Sequence, residues 1–369
     1  MRYSRATAAG VRELTAGVPG CKVLFLEGAS RPVSRSIDAA AVMDKGEAAI
    51  AGWLRSVGGK VQLLDGQVVG VSLQSTTITD KELAVLARLP RLTELSLRDT
   101  EVSEIGLEQV ALAKSLVKLD LSHTLVSDAG LLKLGPLTNL RVLHLASTLV
   151  EGPGLAALPF LRELRMENTP LKNDGLRHVA AMTALTDLSL RYTDVTNAGV
   201  AHLAGLGKLR GLDLKGVDFT DDGLKVVAGM GQLEVLDLSY GRFTAAGFGV
   251  VSGMKNLRKL WLDQTRVNND SMAVVAGLEK LESLSLEYTA VGDPGFAKLG
   301  ALRGMTELRL DHTEVSDASL AVFAGMTGMR YLDVYHTSLT PAGFGKLRTS
   351  LPKCEINFDA DSARRERRT

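Results

Sequence analysis

The sequence predicts an α/β solenoid in which one strand–turn–short-helix unit is stacked about twelve times, and three observations carry that expectation. The pattern LxxLxLxxTx(V/L/F) begins at Val68, Leu92, Leu116, Leu140, Leu161, Leu185, Leu209, Leu233, Leu257, Leu281, Met305 and Met329. Successive copies stand 24 residues apart, except that Leu140 to Leu161 spans 21. Within each copy the apolar spacing changes from two to three, and the ninth position is Thr in ten of the twelve. A unit this small cannot bury its apolar side alone, so neighbouring copies must stack into one continuous core.

Each element of the unit follows from its residues. In "LTELSLRDTEV" (92–102) Leu95 and Leu97 alternate with Glu94, Ser96 and Arg98, the period of a short strand. The Thr that follows sits where the backbone turns inward and loses water, and its hydroxyl offers one donor and two acceptors there. Val217 and Gly241 break this column, so repeats seven and eight are expected to close the turn with water or a distorted backbone. In "VSDAGLLKLGPL" (126–137) Leu131 and Leu134 lie three apart after Ser127-Asp128, a pair suited to capping a helix; Thr79-Asp80, Thr196-Asn197, Thr220-Asp221 and Ser316-Asp317 repeat it. A Gly in the first helical turn, as at Gly223 and Gly295, costs helix stability and predicts close approach of the neighbouring coil. Repeat four, "VEGPGLAALPFL", is three residues short and carries Pro153 and Pro159, which predicts a shortened helix or an irregular turn.

The ends read as caps. Residues 46–67 predict a helix with Ala49, Trp53, Leu54 and Val57 on one face, stopped by Gly58-Gly59, then a hairpin turning at Asp65-Gly66. The array then runs over 68–352, and 353–359 is a closing strand. Residues 360–369, with Arg364, Arg365, Arg367 and Arg368, predict a basic disordered tail. "GVRELTAGVPGCKVLF" (10–25) matches "GFGKLRTSLPKCEINF" (343–358) at Gly, Leu, Pro, Cys and Phe positions, so residues 1–27 read as a terminal half-repeat fragment, joined by a linker over 28–45. A longer gene product, an eroded duplicate of the array and a helix-strand that pads the cap all account for it. Cys21 and Cys354 fall on the buried side of their strands and are expected as reduced core residues.

Twelve copies in register resemble leucine-rich-repeat proteins over residues 68 to 358. The T-x-V-(S/T)-D-x-G-L continuation is similar to the cysteine-containing subtype of F-box/LRR adaptors and of many bacterial LRR proteins, with Thr in the Cys position. The resemblance implies a right-handed horseshoe with parallel strands on the concave face and short helices on the convex face. It does not extend to an F-box, for which the ~20 residues before the first strand are too few.

A formal charge of +1, from 43 basic and 42 acidic residues, gives no reason to expect nucleic acid or an acidic membrane as partner. No apolar run approaches the ~18 to 20 residues of a membrane span, and the first residues lack the apolar stretch of a signal peptide, so a cytoplasmic monomer is expected. No P-loop, HExxH, CxxC or GxSxG occurs, and no catalytic residue, cofactor or metal is expected. The expected function is a non-catalytic scaffold that binds a protein or peptide on the concave face; the alternative is an interaction or regulatory segment of a larger multidomain signalling or adaptor protein. The outward strand positions carry twelve acids against seven bases, which favours a partner with a basic surface. Exposed rings gather over the last repeats, and the candidate protein-binding residues are Trp261, Asp263, Tyr288, Asp311, His312, Tyr331, Asp333, Tyr335 and His336. His312 and His336 share a column of adjacent repeats, with Asp311 beside them and strands ~4.8 Å apart, within reach of a common metal. Two histidines without a firm third ligand read better as imidazoles flanking the binding surface.

Overall fold

The computed structural model describes residues 39–360. The expectations for the half-repeat fragment, Cys21, most of the linker and the basic tail lie outside the described residues. Fourteen strands form one sheet in sequential order. The first pair, Lys60–Leu64 with Gln67–Ser72, is antiparallel, and every later pair, from Glu94–Ser96 to Glu355–Asn357, is parallel. The register advances by one repeat at each step: Leu95 faces Leu119, Leu119 faces Leu143, and Leu143 faces Leu164. The three residues missing from repeat four therefore come out of the convex side, where a single 3-10 turn, Pro153–Ala157, replaces a helix. The result is an open α/β solenoid, strands on the concave face and short helical segments behind them. None of the described helices is long and apolar enough to cross a membrane.

The Thr column does one job throughout. In all ten Thr repeats the hydroxyl donates to the carbonyl three residues back, as from Thr100 to Leu97 at 2.6 Å and from Thr337 to Val334 at 2.7 Å. Repeats seven and eight correct the expectation of water or distortion. The Val217 and Gly241 N–H groups reach the Leu214 and Leu238 carbonyls at 3.0 Å, a backbone bond also made in Thr repeats such as those of Thr76 and Thr193. Phe219 and Phe243 fill the space behind, ring centroids 5.8 Å apart, and Phe243 stacks in turn on Phe248 at 5.9 Å.

At Ser316 the pair behaves as expected, its hydroxyl accepting the Ala318 N–H of its own helical turn at 3.2 Å, but the Asp and Asn residues at the second position act elsewhere. They cap the next repeat rather than their own helix. Asn197 Oδ1 accepts from the Thr220 N–H at 2.9 Å and the Gly223 N–H at 3.1 Å, and Asn269 Oδ1 accepts likewise from Gly292 and Gly295. Asp80, Asp221, Asp293 and Asp317 accept from the backbone of residues 103, 244, 316 and 340. This ladder explains the helical glycines: a Cβ on Gly223 or Gly295 would lie 2.7 or 2.5 Å from the amide oxygen that caps it.

At the N-terminal end, helix Glu47–Ser56 buries Ile50, Ala51, Trp53 and Leu54, and its Glu47 carboxylate accepts the Val68 N–H at 2.8 Å. Ala39 and Val42, at the end of the expected linker, are also buried in the core. Asp44 pairs with Arg88 at 3.3 Å, and residues 39–41 pack against the 80–88 segment of the first repeat. At the other end Cys354 is a half-buried free thiol that packs against the core with Ile356 and Phe358.

Candidate functional site

One backbone feature shapes the rim of the concave sheet. The residue before each Thr position adopts a left-handed conformation: Ser75, Asp99, His123, Ser147, Asn168, Tyr192, Tyr240, Gln264, Tyr288, His312 and His336 all have φ between 48° and 64°, with Gly216 at 71°. Its N–H reaches forward to the next strand, as from Tyr240 to the Asp263 carbonyl at 2.8 Å. The left-handed region is tolerated best by Gly, Asn, Asp and His and is costly for a bulky residue. Tyr at three of these positions thus places side chains on the rim at an energetic cost that glycine would avoid. Tyr192, Tyr240 and Tyr288 are 45%, 40% and 48% exposed. Tyr192 and Tyr240 meet edge to face at 6.3 Å across the coil where Gly216 has no side chain.

Below this rim the concave face encloses a cleft of about 510 Å³ over the middle and later repeats. Seven carboxylates and four basic side chains line it, with Trp261 among them. Trp261 stands between Asp237 and Ser285 on the neighbouring strands. Arg191 pairs with Asp213 at 2.8 Å and approaches Asp237 at 3.5 Å, and Lys215 lies 5.3 Å from the Tyr240 ring centre, joining cleft to rim. One oxygen of Glu167 is buried with no hydrogen-bond partner among the described residues. The Glu167 charge is nonetheless balanced through space by the Arg165 and Arg191 guanidinium groups.

Many of the concave acids are spoken for by the backbone. Asp120, Asp213, Asp237 and Asp333 each accept the N–H two residues on, at 2.9 to 3.0 Å. Asp263 accepts the Glu287 N–H at 3.1 Å and the Ser285 hydroxyl. Their recurrence is thus partly structural. Burial, and then the Asp213 carboxylate, push Asp237 above the ordinary carboxylate range, and burial followed by Asp263 does the same to Glu287. The native state then holds the Asp237 proton more tightly than the unfolded chain, so stability falls as pH rises from about 4 through the raised native value. Asp237→Asn keeps an oxygen for the Ser239 N–H and removes that penalty. Its urea midpoint at pH 7 should exceed that of the parent, with the difference shrinking toward pH ~4. A lower midpoint at pH 7 would mean that the Arg191 contact outweighs the repulsion.

Seven of the nine residues singled out by sequence fall into two groups, with Tyr331 and Asp333 between them. Trp261 and Asp263 line the cleft. Tyr288, Asp311, His312, Tyr335 and His336 form a separate cluster at the C-terminal end of the rim. Tyr331 lies between them, 5.4 Å from the Arg309 guanidinium, with its hydroxyl 3.4 Å from the buried Asp333. In the cluster Asp311, which the sequence already puts beside the histidines, is a firm third ligand atom: it faces both rings. The sequence places Glu167 and Arg191 among the outward strand positions and Tyr192 and Tyr240 in the ring column, but does not single them out as site residues. The glycine between the two tyrosines was the available signal, because it lets rings two strands apart touch.

No protein-family model and no curated protein sequence matches the chain. Solved structures do. An internalin, InlF, from Listeria monocytogenes superposes over 88% of this chain and 89% of its own, at 19% identity and a TM-score of 0.61. The functional domain of InlJ from the same organism, described as including a cysteine ladder, matches 79% of this chain and 63% of its own at 18% identity and a TM-score of 0.52. The mouse RP105/MD-1 complex contains a chain similar over 68% of this one and 43% of its own, at 18% identity and a TM-score of 0.52. At these identities the likeness is one of fold.

Proposed function

We propose, from the premise that this chain is a leucine-rich-repeat solenoid, that it is a non-catalytic interaction module that takes a basic segment of a protein or peptide into its concave cleft. The observation that carries the reading is the cleft itself: Trp261 beside an excess of carboxylates, with the Glu167 oxygen unpartnered and exposed tyrosines above. A lysine or arginine of the partner would satisfy Glu167 and relieve the repulsion between Asp213 and Asp237, while Trp261 and the Tyr192–Tyr240 pair supply the desolvated contact area that dominates interfaces. The structurally similar RP105 occurs in a complex, which agrees with an interaction role for the fold.

Affinity capture from an extract of the source organism, run in parallel with variants, tests this. A protein retained by the parent chain should be retained equally by the convex variant Lys133→Glu. It should be lost at least about tenfold with Trp261→Ala and with the charge reversal Glu167→Lys, each checked for fold by circular dichroism. Retention that follows the convex variant and ignores the concave pair would move the interface to the helical side.

A further inference from the structure

The two histidines at the C-terminal end of the rim converge on one carboxylate oxygen. Nδ1 of His312 lies 2.8 Å and Nδ1 of His336 3.2 Å from the same Oδ1 of Asp311. All three ligand atoms lie within 4.8 Å of one another. We propose that Asp311, His312 and His336 form a binding site for a divalent transition-metal ion of the zinc class, with a fourth position open to solvent or to an incoming ligand.

Two of the three ligand-to-ligand edges are already close to those around a bound ion. Four ligands at about 2.0 to 2.1 Å in a tetrahedron stand roughly 3.3 Å apart. The observed oxygen-to-nitrogen separations widen by a few tenths of an ångström to reach that value. The rings are also held in place from both sides. Tyr288 stacks on His312 with centroids 4.0 Å apart and planes 15° from parallel, and Tyr335 meets His336 edge-on at 3.9 Å. Preset ring orientation is what lets a site bind without first ordering its ligands.

The donor set selects the ion. Two imidazoles and one carboxylate suit Zn²⁺, Co²⁺, Ni²⁺ or Cu²⁺, whereas Ca²⁺ and Mg²⁺ ask for oxygen ligands. On binding, both Nδ1 atoms present lone pairs to the ion, so any proton they carry leaves to solvent and the remaining proton sits on Nε2. The side chains of His312, His336 and Asp311 are 31%, 20% and 17% exposed, open enough for an ion to enter and a fourth ligand to follow. His144 is the contrast: it faces a single carboxylate, Glu163, at 3.0 Å, and no histidine joins it in a comparable cluster among the described residues. The inference stands apart from the proposed cleft partner, because it rests on three side chains and an inorganic ion.

The test uses the full chain, stripped with chelator and titrated with Co²⁺ alone, reading the ligand-field absorption, then with Zn²⁺ in competition. One equivalent should bind at this site. His312→Gln, His336→Gln and Asp311→Asn should each weaken it at least about tenfold, while His144→Gln leaves it unchanged. Glutamine and asparagine keep most of the side-chain volume, and the two histidine variants are made separately so that either folded one decides the matter. Absence of a Co²⁺ band and of competing Zn²⁺ uptake, or equal binding in all four variants, would overturn the site and leave Asp311 as an acceptor shared by two imidazoles.

Discussion

Phe243→Ala is expected to cost the chain about 3 to 5 kcal/mol, the range for deleting a buried Phe ring whose cavity cannot collapse. Phe243 is fully buried between Phe219 and Phe248, and the strands around it are fixed by the ladder, so the space stays open. The same ring explains why repeat eight lacks its Thr. A Cβ on Gly241 would lie 2.6 and 2.8 Å from two Phe243 ring carbons. Gly241→Thr alone should therefore destabilise by about 1 to 3 kcal/mol through overpacking, even though it restores the repeat pattern. Phe243→Val alone leaves a cavity. Together, Gly241→Thr and Phe243→Val recreate the Thr-x-Val of the other coils, with a hydroxyl able to donate to the Leu238 carbonyl. The pair should be more stable than the sum of the singles predicts by at least about 1 kcal/mol, measured as a coupling energy from urea midpoints. Strictly additive losses would show that the glycine and the ring are unrelated.

Gly241 also shows what a sequence can and cannot tell about a solenoid. Period, strand positions, the Leu core and the Thr turn were all readable, because each repeat contacts its neighbours in one fixed register and twelve copies average out local exceptions. Where a side chain points along the stack was not. Asn197 and Asp221 follow a Ser/Thr position and so look like caps of their own helices, but a 24-residue period cannot distinguish a contact within a coil from one to the next. The left-handed rim was half visible: Asp, Asn, His and Gly in one column are the residues that tolerate positive φ, and the tyrosines hid the pattern. The cleft depends on how Arg191, Glu167 and Trp261 reach across strands from different coils, which is set by rotamers rather than spacing. Convergence of His312 and His336 on Asp311 required the same information.

Asp128→Ala should be the most damaging single change in the polar ladder, because repeat four hangs from that carboxylate. Asp128 accepts three backbone N–H groups: Glu151 at 2.8 Å, Gly152 at 3.1 Å and Gly154 at 2.7 Å. Other rungs take one or two backbone groups each, as Asp80 takes only that of Ser103. Three residues are missing here, and the chain crosses the convex side in one 3-10 turn, entered through Gly152 at φ 126° with its Cα against the Gly175 backbone. Removing the carboxylate leaves the Glu151 N–H to water, since that residue is exposed, but strands the two buried glycine N–H groups. At about 1 to 3 kcal/mol for each buried orphan, the loss should come to roughly 2 to 6 kcal/mol. Asp128→Asn keeps one acceptor oxygen and should cost about half as much. Because stability in a solenoid is carried between neighbours, the damage should be local: amide exchange at Gly152, Gly154 and Leu155 should quicken more than at Leu308 or Leu332. If exchange rises evenly along the array, or if the Ala and Asn variants melt alike, the short turn is held by packing on Gly175 and the carboxylate is incidental to it.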